Sequence, residues 1–159
     1  MGMDTVIVSV VSIALILVVA YSFAMETNNL ITSAHSGFSN LQKLTLKKIK
    51  TNIEIQNILW NVSGNNYLRF SVANTGDTKL SNFELWDVVV VRNNSTLYLS
   101  YGSDWIVDSI SNDSINPNIL DPFESAQIEV RIPFESGESV IIRVSTPNGV
   151  VATQRYNVG

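Results

Sequence analysis

Four Asn-x-Ser/Thr triplets carry the most recognisable chemistry in this chain: Asn61-Val62-Ser63, Asn93-Asn94-Ser95, Asn94-Ser95-Thr96 and Asn112-Asp113-Ser114. Each places a hydroxyl two residues after an asparagine with no proline between, the acceptor pattern for N-glycosylation. Asn61, Asn93, Asn94 and Asn112 all fall at expected loops or strand ends, and together they favour a domain outside the cytoplasm. Cation binding is the second chemistry to weigh. Asp104, Asp108, Asp113 and Asp121 share one turn-rich region, but their spacing fits no calcium loop and reads as solvated loop acids. His35 is the single histidine and has no second ligand at i±4, so it reads as a surface or interhelix residue. The chain contains no cysteine, which excludes disulfides, thiolate metal sites and cysteine nucleophiles. Neither a Gly-x-Ser-x-Gly elbow nor a phosphate-cradling glycine loop occurs. The expectation is a protein without catalytic residues, metal or cofactor.

Charge narrows the partners. Lys43, Lys47, Lys48 and Lys50 make residues 1–50 basic against only Asp4 and Glu26, while every other carboxylate lies in residues 51–159. So acidic a domain does not bind nucleic acid by neutralising phosphates. The lysine cluster at 43–50 fits either a solvated helix end or contact with anionic head groups.

The elements that must position these residues begin with an uncharged run at 5–25. As a helix it spans roughly 31 Å, close to the ~30 Å hydrocarbon core of a bilayer. Its valines and isoleucines would favour a strand in water, but a lone strand in lipid leaves its backbone unpaired, so a helix is expected. Asp4 is a good N-cap, and Tyr21 and Phe23 lie where interfacial aromatics belong. The run is longer than a signal-peptide core and lacks a basic leader, so it reads as a retained membrane anchor. The positive-inside rule, taken literally, would put the rest of the chain in the cytoplasm, and charge alone leaves topology open. In residues 26–50, Leu30, Ala34, Phe38 and Leu41 recur at helical spacing. That spacing predicts a helical stalk, with a break near Asn28-Asn29 and one apolar stripe covered by the domain or by another copy.

Past Lys50 the period changes to two. Strands are expected at 52–58, 67–72, 80–91, 96–101, 126–132, 139–145 and 150–157, with Val88 to Val91 reading as buried on both sides. Thr146-Pro147-Asn148-Gly149 reads as a hairpin turn with glycine supplying positive φ. Residues 102–122 read as one long loop, broken by Pro117 and Pro122. About seven strands without intervening helices predict an all-β, immunoglobulin-like antiparallel β-sandwich at 51–159, lacking the Cys…Trp…Cys signature of true immunoglobulin domains. The expected organisation is an anchor at 1–25, a stalk at 26–50 and a β domain at 51–159. Trp105, Ile106 and Phe123, ringed by Asp, Ser and Asn, either close the open end of the sandwich or form a patch that binds a protein partner.

Several segments in order resemble a known family. A Met-Gly start runs into the Val/Ile-rich helix, then Lys50-Thr51-Asn52-Ile53-Glu54-Ile55. Leu68 to Leu80 follows with Asn74-Thr75-Gly76-Asp77 inside it, then Leu120-Asp121-Pro122-Phe123-Glu124 and Thr146-Pro147-Asn148-Gly149-Val150. Across nearly the whole chain this pattern resembles the archaeal flagellin-related proteins, most of all the archaellum accessory proteins F and G. The resemblance implies a β-sandwich outside the membrane, held by residues 5–25 and acting as a stator that binds the S-layer protein. It also implies other archaellum accessory subunits as partners, in a homo- or hetero-oligomer. Archaellins carry Lys/Arg-Gly before their helix as a peptidase site, whereas Gly2 follows Met1 here. That departure favours the uncleaved F-type protein over the G-type and over the alternative, a pilin- or archaellin-like filament subunit.

Overall fold

The computed structural model describes residues 2–62, 64–93, 95–113 and 115–159. The chain divides into two compact units, Met1–Leu44 and Thr45–Gly159.

One α-helix, α1, runs from Met3 to Ile49, a length of about 70 Å at the standard rise. The first part of it is long and apolar enough to cross a membrane. Ser9, Ser12 and Ser22 donate their hydroxyls to the carbonyls of Val6, Val8 and Val18 at 2.8–2.9 Å, so these polar groups are satisfied within the helix itself. The break expected at Asn28-Asn29 does not occur. Thr27 and Thr32 bond back to Phe23 and Asn28 in the same way, and a single glycine such as Gly37 costs a long helix only about 1 kcal/mol.

The β unit packs two four-stranded antiparallel sheets. Its strands are β1 (Ile53–Val62), β2 (Tyr67–Asn74), β3 (Asp87–Arg92), β4 (Ser95–Leu99), β5 (Trp105–Ser111), β6 (Ser125–Val130), β7 (Ser139–Ser145) and β8 (Val151–Asn157). One sheet has the order β1-β2-β6-β5 and the other β4-β3-β7-β8. This is the immunoglobulin-like antiparallel sandwich that the alternating pattern predicts. Leu68, Phe70 and Val72 of β2 oppose Val130, Ile128 and Ala126 of β6 across the first sheet. Val88 and Val90 of β3 pair with Val144 and Ile142 of β7 in the second. All of these side chains are buried, each contributing about 1.5–3 kcal/mol relative to exposure where the side chain is large.

Three expectations change. Residues 80–86 are not strand: Asn82 turns into the left-handed region and Phe83–Leu85 forms a 3-10 turn. This turn carries the chain from the first sheet to the second and seats Phe83 against Trp86 at 5.1 Å. Val88 to Val91 is buried on one face only, Val89 and Val91 being half-exposed, because β3 lies in a sandwich with one face toward solvent. Finally, the long loop at 102–122 contains strand β5. Its alternation is hidden by Asp108 and Ser109, where the register with β6 shifts between Val107 and Ser109, a bulge on an edge strand.

Candidate interface

One end of the β unit, where the last turn of α1 meets the sandwich, is tied together by a connected set of hydrogen bonds. β2 finishes there at Asn74, which is fully buried. Its backbone N–H donates to Glu124 O at 2.9 Å and its carbonyl accepts from Phe123 N at 2.8 Å. Its side-chain amide donates to Thr78 O and Leu120 O, while Oδ1 accepts from Gly76 N at 3.2 Å. One residue thus ties the 74–80 loop to the 120–124 turn, with every donor and acceptor used.

The same loop holds the helix end. Asp77 N donates to Lys50 O at 2.8 Å and Thr51 N to Lys48 O at 3.2 Å. Thr51 Oγ1 donates to Lys47 O at 2.7 Å, and Asn148 Nδ2 in turn donates to Thr51 Oγ1 at 2.7 Å. The Lys47 and Lys48 carbonyls are thus capped locally by Thr51, and the 74–78 loop adds Asp77 N to Lys50 O and Thr78 Oγ1 to Lys47 O at 3.4 Å. Gly76 makes this possible: a Cβ at that position would fall 2.4 Å from Asn52 N and 2.5 Å from Lys50 O. Asn74-Thr75-Gly76-Asp77 reads in sequence as a turn only. Its signal of a larger role is an Asx-forming residue placed directly after an alternating strand.

The 120–124 turn is built from the other side by Asp121. Its carboxylate accepts from Asn116 Nδ2 and pairs with Lys79 at 3.2 Å. The Asn116 hydrogen bond first, and then Lys79, hold this carboxyl below the usual value of 3.8 against the opposing effect of burial. Glu124 N donates to Asp121 O at 3.1 Å, closing a turn with Pro122 and Phe123 at its centre. Phe123 has φ 68°, a left-handed conformation uncommon for a bulky residue, and is 85% exposed.

The three aromatic and aliphatic candidates are therefore not one patch. Trp105 has no exposed surface; it opens β5 opposite Val130 and meets Tyr101 edge-on at 4.9 Å. Because β5 is a strand, Trp105 points into the sandwich and is core. Ile106, next along β5, is half-buried, and only Phe123 stands free in solvent.

The four loop acids do not converge either. Asp104 accepts from Ser100 N at 2.9 Å, Asp113 from Asn118 N at 2.8 Å, and Asp108 lies 3.8 Å from Arg69. Among the described residues no three His, Cys, Asp or Glu side chains cluster to hold a metal ion. On the outer face of the first sheet, Glu129 sits between Arg69 at 2.8 Å and Arg131 at 3.0 Å. Those guanidinium groups, Arg69 foremost, lower its pKa from 4.5. His35 is exposed on α1. Of the sequon asparagines, Asn93 and Asn112 are exposed and take positive φ at turns. Asn61 lies on β1, and Asn94 falls outside the described residues.

Comparison with known proteins places the chain. The family model for archaeal-type flagellin matches residues 1–156. An uncharacterized protein of Archaeoglobus fulgidus is 30% identical over 159 residues, covering 99% of this chain and 98% of that protein. The archaellum periplasmic stator protein complex of FlaF and FlaG from Sulfolobus acidocaldarius has a similar fold. It matches with TM-score 0.54 and 22% identity over 65% of this chain and 87% of that one. The archaeal flagellum of Methanospirillum hungatei strain JF1 matches over 100% of this chain and 94% of its own, with TM-score 0.67 and 14% identity.

Proposed function

The chain belongs to the archaeal-type flagellin family, and from that membership we propose that it is a non-enzymatic stator component of the archaellum. In this reading residues 5–25 of α1 anchor it in the cell membrane, and the β domain, outside the membrane, grips the S-layer protein. The stator complex of FlaF and FlaG in Sulfolobus acidocaldarius, which shares the fold, supports other archaellum accessory subunits as partners. The observation that carries the reading is the stretch of α1 long and apolar enough to cross a membrane, followed in the chain by a separate compact β-sandwich unit. Of the three candidate side chains, Phe123, exposed and in a left-handed backbone conformation, is the one free to contact a partner. Glycans at Asn61, Asn93, Asn94 or Asn112 belong to the same reading.

Fractionating cells tests it. The stator reading expects the protein in membranes, with the full-length chain in detergent retaining the S-layer protein from solubilised envelope. It expects Phe123→Ser to weaken that retention. Recovery of the chain as a repeating subunit of sheared filaments would overturn it. That second reading has an observation of its own: beyond residue 25, Leu30, Ile31, Phe38, Leu41 and Leu44 stay exposed on α1, as helices bundled in a filament core would require.

A further inference from the structure

Each sheet of the sandwich ends in two edge strands, β1 and β5 in one and β4 and β8 in the other. An edge offers a row of unpaired N–H and C=O groups, and proteins that keep such edges unpaired break or charge them. Three of the four edges are treated in this way. β1 loses register between Gln56 and Leu59 and again between Trp60 and Val62, with Asn57 in the left-handed region. β8 carries Arg155 and lies beside β1, where Ile55 to Ile58 and Gln154 to Tyr156 share one groove. β5 is bulged at Asp108 and carries that charge.

β4 has no such device. Ser95-Thr96-Leu97-Tyr98-Leu99 contains no charge, no proline and no bulge, and its register with β3 is unbroken from Arg92↔Ser95 to Val88↔Leu99. The Arg92–Ser95 pair closes a two-residue connection, so hydrogen-bonded pairs alternate outward from it. Thr96 and Tyr98 are then the residues whose N–H and C=O point away from β3. Their side chains lie on the solvent side: Thr96 is exposed and Tyr98 is 80% exposed. Leu97, opposite the buried Val90, faces the core.

We propose that β4 pairs antiparallel with β4 of a second copy of this chain, about a two-fold axis through Leu97, so that the two four-stranded sheets become one. In that register Thr96 stands opposite Tyr98 of the second copy, and each such pair exchanges both backbone hydrogen bonds. Every outward donor and acceptor at these positions finds its complement. Each exposed tyrosine ring covers a threonine methyl, an aromatic with β-branched pairing that favours antiparallel sheets. The strand is neutral, so a like strand meets no repulsion, whereas a charged strand from another protein would find no counter-charge. The contact uses the same five residues on both sides and closes as a dimer instead of growing into a fibre.

Because the chain has no cysteine, introduced thiols report the contact cleanly. Full-length Thr96→Cys and Tyr98→Cys chains, tagged differently and mixed in detergent, are treated with a short bismaleimide, and Gln154→Cys on β8 measures random collision. The proposal expects dimers linked through positions 96 and 98 several-fold above the Gln154→Cys background. Yields no higher than the Gln154→Cys background would overturn it. A measurement on the unsubstituted chain guards against variants that fold poorly. Hydrogen exchange at the Thr96 and Tyr98 amides should slow as protein concentration rises, while the Asp108 amide on the bulged edge stays unchanged. No concentration dependence at Thr96 and Tyr98 would also overturn the pairing.

Discussion

Two aromatic residues with similar sequence surroundings have opposite fates. Trp105 and Phe123 both border turn-rich segments among Asp, Ser and Asn, yet one is core and the other is solvent-exposed. Replacing Trp105 with alanine empties a packed site and should cost about 3–5 kcal/mol, read as a large fall in the denaturant midpoint. Phe123→Asn should instead stabilise by about 0.5–1 kcal/mol, because asparagine accepts the left-handed backbone that phenylalanine resists and no core contact is lost. Glu129 is the residue for which pH is informative. Its folded pKa is lowered by Arg69 and then Arg131, so its contribution to stability is complete above the unfolded value of 4.5. Below that pH the unfolded chain takes up a proton that the folded chain refuses, and the contribution declines until the folded group is also protonated. Denaturant titrations should therefore show stability falling as pH drops below that value, with Glu129→Gln flattening part of this limb.

Among the elements, the 74–77 turn does more than reverse the chain. Its contact with the carbonyl of Lys50 leaves no room for a side chain at Gly76. Gly76→Ala should push the loop from the helix end and cost about 1–3 kcal/mol, in the range of overpacking substitutions. Thermal melts of the variant and the parent chain measure this directly. β5 shows why an element can be invisible to a periodicity argument. Val107 and Ile110 lie on either side of a bulge, which shifts the alternation midway, so a period of two cannot continue through it. The 3-10 turn at Phe83–Leu85 is a similar case. Its apolar residues look like strand continuation, but the chain must change sheets there.

For the whole molecule, the compact β unit begins at Thr45, inside the last turns of α1. A fragment of residues 45–159 should melt cooperatively as an all-β domain by circular dichroism. Residues 51–159 alone should melt several degrees lower, because the partners of Asp77 N and Asn148 Nδ2 would be removed or left frayed. If the two fragments melt together, the helix end contributes nothing to the fold. An uncharged run at 5–25, a change of period at Lys50 and turn signals between alternating runs were enough, by themselves, to establish a helix followed by an antiparallel sandwich. They suffice because hydrophobic periodicity and backbone satisfaction are local properties, written residue by residue. The order of residues and motifs carried the archaellum resemblance as well. Which aromatics are buried, which edge is unguarded and what the Asn74 turn holds were decided only by tertiary structure. Each depends on which distant segment lies alongside: Val130 beside Trp105, Lys50 beside Gly76, and β3 on one side of β4 with no strand among the described residues on the other.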